Sequence, residues 1–361
     1  MMRRLILLLL IAFALNASAQ YPRVDIPGSE VRKINSSIVA GQEYELHILL
    51  PGGYKNSTKR YPVVYLMDSQ WDFPLVKSIY GEHYYDGFIP EMIIVGVTWG
   101  GLNPNPDSLR ARDYTPTKIA QLPQSGGADK FLSFMKDELF PFMEKNYRAD
   151  LIHRSLMGCS LGGLITLYAF LTHTEMFTGY AAASPAVGWD REVLYKYEKE
   201  FAQKKLIKAV RVYMTIGDVE RNRPGYEKMA DYFIGKNYPN VSIRSKVLEN
   251  TGHSGTKGET FARGLQYIFE KPKFKLDDVT LNQLAGKYEF PNGNSVELKN
   301  ENHRLVIYFS PSFKYDLFAA SETEFYTNSE FFNIKFKSIN GKIDGFELAT
   351  YNNNQFLKRV N

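Results

Sequence analysis

Gly158-Cys159-Ser160-Leu161-Gly162 constrains this chain more than any other stretch. It is a G-x-S-x-G pentapeptide, a turn so tight that only glycine tolerates the crowding on either side of the serine. The turn lifts the serine hydroxyl above a sheet edge, where a base and a substrate can reach it. The pattern is common by itself, so its flanks decide what it means. Residues 154–157 before it read as a strand end, and residues 163–171 after it read as a buried helix. Strand, serine turn, helix is the setting the motif requires.

Strand and helix patterns alternate up to about Lys271. Residues 44–50 alternate like a half-buried strand. Residues 62–67 and 92–97 are short, continuous apolar runs, as strands covered on both faces would be. Residues 127–147 have helical spacing, with Phe131, Phe134, Met135, Leu139, Phe142 and Met143 on one side. Residues 210–217 and 241–248 read as further strands, and residues 226–234 and 260–269 as further helices. This alternation predicts an α/β domain, a mostly parallel sheet with helices on both faces.

The texture changes after the charged, proline-bearing joint Glu270-Lys271-Pro272-Lys273-Phe274-Lys275. Seven short strand-like runs follow between residues 286 and 358, separated by turn residues such as Asn292-Gly293 and Asn340-Gly341. That spacing predicts a small C-terminal antiparallel β barrel or sandwich domain. The expected organisation is a signal peptide over residues 1–19, an α/β domain over 20–271 and the β domain over 276–361.

The signal reading rests on Arg3 and Arg4, the apolar residues 5–15 and Ala17-Ser18-Ala19 as a cleavage site. The apolar run is short for a bilayer span of about 20 residues. Export to a bacterial periplasm or medium is therefore expected, with no stable membrane insertion after cleavage. Cys159 is the only cysteine, so no intrachain disulfide can form. The net charge of +5 is mild, and two of those charges belong to the signal. No basic block or basic–aromatic interleaving points to nucleic acid.

A serine hydroxyl is a poor nucleophile at neutral pH. It needs a base within hydrogen-bond reach and a third group that orients the base. Of the six histidines, only His253 lies downstream of Ser160, inside the alternating region and in a loop after a strand. His173 follows too closely, and His303 lies in the β domain. The acid is expected past the strand between Ser160 and His253. There Asp218 and Glu220 of Gly217-Asp218-Val219-Glu220 compete for the role. Such chemistry calls for no metal or cofactor.

The chain resembles the putative esterase family of α/β-hydrolases, which includes esterase D-like enzymes, siderophore esterases, feruloyl and acetyl-xylan esterases, and mycolyltransferases. The resemblance lies in Val64-Tyr65-Leu66-Met67-Asp68, Arg112-Asp113-Tyr114-Thr115-Pro116, Gly126-Gly127-Ala128-Asp129-Lys130-Phe131, Glu138-Leu139-Phe140-Pro141 and Gly158-Cys159-Ser160-Leu161-Gly162-Gly163. Ser184-Pro185 with Trp189, residues 217–220 and Gly252-His253 complete the set, over about residues 30 to 270. The resemblance implies a nucleophile at Ser160, a base at His253 and an acid at Glu220 in preference to Asp218, although the most similar siderophore esterases can work as a Ser-His dyad. It places one oxyanion-hole N–H at Leu161 and the other at Gln70, or else Ser69.

The implied activity is two-step hydrolysis of a carboxylic ester, in salvage of siderophores or polysaccharide esters. Acyl transfer to an alcohol and a binding protein without turnover are the alternatives. Trp71, Trp99, Tyr114 and Trp189 are expected near the mouth of the site. Arg110, Arg112, Arg221 and Arg223 are expected on the same edge, as ligands for an anionic substrate or as partners of neighbouring acids. Trp71, Arg112 and Trp189 are the substrate-binding candidates. The C-terminal region is similar to the small β domain appended to secreted bacterial serine hydrolases, through Leu284-Ala285-Gly286-Lys287-Tyr288-Glu289, Ile343-Asp344-Gly345-Phe346 and Leu357-Lys358-Arg359. Its role and the oligomeric state stay open.

Overall fold

Runs such as Val63-Val64-Tyr65-Leu66 are apolar on both sides of a strand, and such strands need cover on both faces of a sheet. A computed structural model describes residues 25–330, 332–350 and 353–360, and it shows how that cover is built. The predicted signal peptide lies outside the described residues. Eight strands form the main sheet: β1 (Ser29–Asn35), β2 (Glu43–Leu49), β3 (Tyr61–Leu66), β4 (Ile93–Trp99), β5 (Ala149–Cys159), β6 (Gly179–Ala183), β7 (Val210–Gly217) and β8 (Val241–Leu248). Their order is β1-β2-β4-β3-β5-β6-β7-β8. β1 and β2 are antiparallel, β2 is antiparallel to β4, and every pairing from β4 onward is parallel.

The helices are α1 (Ser69–Tyr85), α2 (Pro106–Asp113), α3 (Ala128–Phe134), α4 (Phe140–Asn146) and α5 (Leu161–Thr172). They continue with α6 (Leu194–Phe201), α7 (Arg223–Gly235) and α8 (Thr256–Ile268). α1 and α8 cover one face, where Val64, Leu66, Ile94, Met157 and Ala181 meet Phe73, Val76, Phe261 and Leu265. The alternate residues Tyr65, Leu156, Tyr180 and Val212 point into the other core, with Phe131, Leu164 and Met229. Side-chain alternation along each strand thus sends successive residues into two buried layers.

Residues 127–147 are not one continuous α-helix. A π-helical turn, Met135–Leu139, joins α3 to α4. Pro141 sits at the start of α4 and has no N–H to give, and its ring crowds the preceding turn, so a local widening relieves it. β6, Gly-Tyr-Ala-Ala-Ala, has little strand character of its own. Its small side chains are required by α8, where a Cβ on Gly264 would lie 2.8 Å from the Ala181 Cβ.

The C-terminal region resolves the choice between sandwich and barrel. α9 (Asp278–Leu284) leads into β9 (Gly286–Glu289), β10 (Ser295–Glu301), β11 (Arg304–Ser310) and β12 (Phe313–Ala319). β13 (Glu324–Tyr326), β14 (Phe332–Ile339), β15 (Lys342–Thr350) and β16 (Asn354–Val360) follow. Each pairs antiparallel with the next, and β16 returns to β9 through Lys358 opposite Glu289, which closes a barrel. Closure removes the free edges a sheet would otherwise expose. Leu281 and Leu284 of α9 join Tyr288, Phe336 and Phe346 in its core.

Candidate active site

The strand order brings the decisive loops together. After β3 the chain adds β4 on one side and β5 on the other, so the loops leaving the carboxyl ends of β3 and β5 diverge and open a crevice between them. Met67 N–H, just past β3, donates to Met157 O at 2.9 Å, which fixes the two strand ends side by side. At the end of β5, Ser160 takes φ 61° and ψ −116°, a conformation that strains a residue bearing a Cβ. Two bonds to the β6 end hold it there: Ser160 N–H to Ala183 O at 3.0 Å, and Ala186 N–H to Ser160 O at 3.1 Å. The glycines of the pentapeptide are sterically required. A Cβ on Gly158 would lie 2.5 Å from the carbonyl carbon and oxygen of Gly162.

His253 reaches the same place from the loop between β8 and α8. Cys159 pairs with Ala183 across β5 and β6, so Ser160 and Ser184 leave the sheet next to each other. Ser184 Oγ donates to Glu220 Oε1 at 2.5 Å and approaches His253 O at 3.4 Å, while Thr256 Oγ1 donates to His253 O at 2.8 Å. The ring Nδ1 of His253 lies 2.7 Å from Glu220 Oε2. A carboxylate at that nitrogen requires the proton there, which leaves Nε2 free to accept one. Ser160 Oγ and His253 are not hydrogen-bonded to each other among the described residues, and such contacts commonly tighten only when substrate binds.

Glu220 is nearly buried and His253 is half exposed, their side chains retaining 5% and 48% of their exposure. Burial alone would raise the Glu220 pKa. Hydrogen bonds from Ser184, His253 and Gly217 N–H outweigh it and hold the carboxyl below its usual range. Asp218 turns elsewhere: its carboxylate accepts Thr251 N–H at 3.1 Å and organises the backbone of the following loop. Of the two acids, the structure brings Glu220 to the histidine.

Two helix starts lie at these strand ends. Leu161 opens α5, and Ser69 and Gln70 open α1, where first-turn N–H groups have no partner within the helix. Asp68 precedes α1 in a left-handed conformation, φ 56°, and is buried. Arg110 grips it with two bonds of 2.8 and 2.9 Å, and Tyr114 Oη accepts its N–H at 3.3 Å. Ser69 Oγ bonds His47 Nδ1 at 2.8 Å, and Lys257 Nζ bonds Asp72 at 2.7 Å. The sequence allowed Arg110 an acidic partner on this edge but named none of these pairings, because each joins residues far apart in the chain. Ser184 stood out in the sequence only through the Ser184-Pro185 pair of the family resemblance.

A family model described as putative esterase matches residues 36–235. The Bacillus subtilis (strain 168) protein named ferri-bacillibactin esterase BesA is 30% identical over 212 residues, which span 55% of this chain and 72% of that protein. The chain is a member of the putative esterase family. It is a carboxylic ester hydrolase. The crystal structure of BES protein from Bacillus cereus shares the fold with a TM-score of 0.64 at 24% identity, over 69% of this chain and 99% of that one. An IroE-like serine hydrolase from Shewanella oneidensis does so with a TM-score of 0.60 at 25% identity, over 69% and 82%.

The other nominated residues of this esterase divide by what they touch. Trp71, in the first turn of α1, keeps 49% of its exposure and lies under Arg110, 5.4 Å from its guanidinium carbon. Arg221 is exposed, and Arg223 pairs with Glu227 at 3.0 Å. Arg112 is committed to a fork on buried Asp113 at 2.6 and 2.8 Å and to Gln42 at 3.0 Å. The expectation that Trp99 and Tyr114 flank the mouth is corrected. Trp99 ends β4 with its indole N–H on Asp113 at 2.7 Å, and Tyr114 is fully buried. Both complete the aromatic core beneath the site. Trp189 is half-buried, with its indole N–H on Thr117 Oγ1 at 3.1 Å.

Proposed function

We propose that this esterase is an exported serine hydrolase that cleaves ester-linked siderophores through an acyl-enzyme on Ser160. The observation that carries the reading is the Ser184–Glu220–His253 hydrogen-bond chain beside the strained Ser160 turn. Ser160 Oγ attacks the ester carbonyl while His253 Nε2 takes its proton. The N–H groups of Leu161 and of Gln70 or Ser69 receive the negative oxygen. His253 then protonates the departing alkoxide, and water repeats the sequence in reverse to free the acid.

The substrate class rests on the likeness to BesA and on an open site. His253 is half exposed and Trp71 presents its ring to solvent at the crevice, so a bulky ester is not excluded by walls. Arg110, held by Asp68, lies over Trp71 and steadies an exposed ring that can pack a catechol face. The test is a comparison of kcat/KM on a ferric tricatecholate lactone, methyl ferulate and acetylated xylan. The lactone is expected to lead by at least about tenfold. Preference for xylan acetate would move the substrate to polysaccharide esters. Export is tested by following the full-length chain into the periplasm or medium of a bacterial host.

A further inference from the structure

A second cleft lies between the sheet and the barrel, away from Ser160. Its volume is about 690 Å³, and five basic side chains but only one carboxylate line it. None of Ser160, Glu220 or His253 is among its walls. α8 separates the two places: its first turn follows the His253 loop, and its last turn leads to Glu270 and Lys271 in the cleft. A helix of this length spans about 20 Å.

The basic residues are not equivalent. β8 is the last strand of the sheet, and Arg244 and Lys246 there are the charges an exposed edge ordinarily carries. Arg244 pairs with Glu270 at 3.1 Å, Lys246 with Glu259, and Lys273 shares Glu270 at 3.4 Å. Lys271 and Arg263 differ. Among the described residues, Lys271 Nζ has one hydrogen bond, to the Asn333 amide oxygen at 3.1 Å on the barrel, and no ion pair. Among the described residues Arg263 bonds only Gln266, at 2.7 Å. Burial pushes the Lys271 amine down to about 8, as befits an ammonium with no carboxylate against it.

Two of the four aromatic rings in the walls, Tyr326 and Tyr267, already carry cations. Lys271 sits 4.6 Å from the Tyr326 ring centre, and Arg244 sits 4.2 Å from that of Tyr267. Those two faces hold charges in place, and the excess of cations over carboxylates in the walls favours a charged ligand over a sugar. Glu270 answers Arg244 and Lys273, which leaves Lys271 and Arg263 uncompensated. We infer that this interdomain cleft binds a small ligand with at least two oxyanion groups, phosphate or carboxylate, seated on Lys271 and Arg263.

The test uses the full chain with Ser160→Ala, so that no turnover interferes, and titration calorimetry with pyrophosphate, citrate and maltotriose. Saturable binding of pyrophosphate or citrate, with none for maltotriose, is expected. The stronger of the two distinguishes a phosphate from a carboxylate ligand. Lys271→Met and Arg263→Gln are each expected to weaken it by at least about tenfold. Arg263 is exposed, so its substitution leaves the fold intact even where Lys271→Met does not. Absence of saturable binding of both oxyanions, or equal affinity in wild type and Arg263→Gln, overturns the inference.

Discussion

Replacing Glu220 with Gln is the most informative change to the site. The carboxylate accepts three hydrogen bonds, from Ser184 Oγ, His253 Nδ1 and Gly217 N–H. An amide of the same shape can keep the serine and backbone bonds, but it presents N–H to His253 Nδ1 if its oxygen faces Ser184. The imidazole then places its proton on Nε2, which can no longer take one from Ser160. Amide replacement of the orienting acid in a serine–histidine–acid site lowers kcat by about 10⁴-fold, which corresponds to about 5 kcal/mol of transition-state stabilisation. A poorly satisfied buried group adds about 1–3 kcal/mol to the loss of folding stability. Asp218→Asn provides the contrast, since among the described residues that carboxylate accepts hydrogen bonds only from loop backbone; its kcat is expected to stay within about tenfold. Steady-state kinetics on p-nitrophenyl acetate, with thermal melts of both variants, read the difference. If Glu220→Gln keeps kcat within about tenfold of wild type, His253 works without its acid, and the triad reasoning fails.

Three further changes probe the surroundings. Gly158→Ala forces a Cβ to 2.5 Å from Gly162 backbone atoms that cannot swing aside. It is expected to lower stability by about 1–3 kcal/mol in urea melts and to remove most activity; wild-type behaviour would refute the crowding argument. Arg112→Gln leaves buried Asp113 without its cation and is expected to destabilise by about 3 kcal/mol. KM of the folded enzyme should not change, whereas a large rise in KM with unchanged stability would restore a ligand role for Arg112. Asp68 is pushed up to about 6 by burial, which outweighs the opposing pull of Arg110. A carboxyl raised in the folded state stabilises most below its unfolded value and loses that contribution as pH rises through the folded one. The Tm of wild type minus that of Asp68→Asn should therefore fall between about pH 4 and pH 6, and a rise over that window would contradict the assignment.

The sheet was legible because continuous apolar runs such as 62–67 and 210–217 have few other uses, and Ser160 because its glycines are dictated by the turn. β6 was not legible, since alanines suit a helix as well, and only the packing of Gly264 against Ala181 explains them. Barrel or sandwich could not be chosen from strand spacing, because closure depends on a pairing between the first and last strands of the domain. The choice between Asp218 and Glu220 is a matter of which way two neighbouring side chains point, and spacing alone is silent on that. Trp99 and Tyr114 look like mouth residues in sequence because they flank a loop, yet Asp113 and Asp68 draw their polar atoms inward. The side-chain bonds at the start of α1, Arg110 on Asp68 and His47 on Ser69, join residues 42 and 22 positions apart and leave no local pattern.

The central claim is that Ser160 carries the acyl group. Incubation with a fluorophosphonate, followed by intact-mass and peptide mass spectrometry, tests it most directly. A single adduct on the peptide containing Ser160 is expected, lost in Ser160→Ala and slowed by orders of magnitude in His253→Ala. An esterase-active preparation that takes no label, or takes it on another residue, would contradict the account.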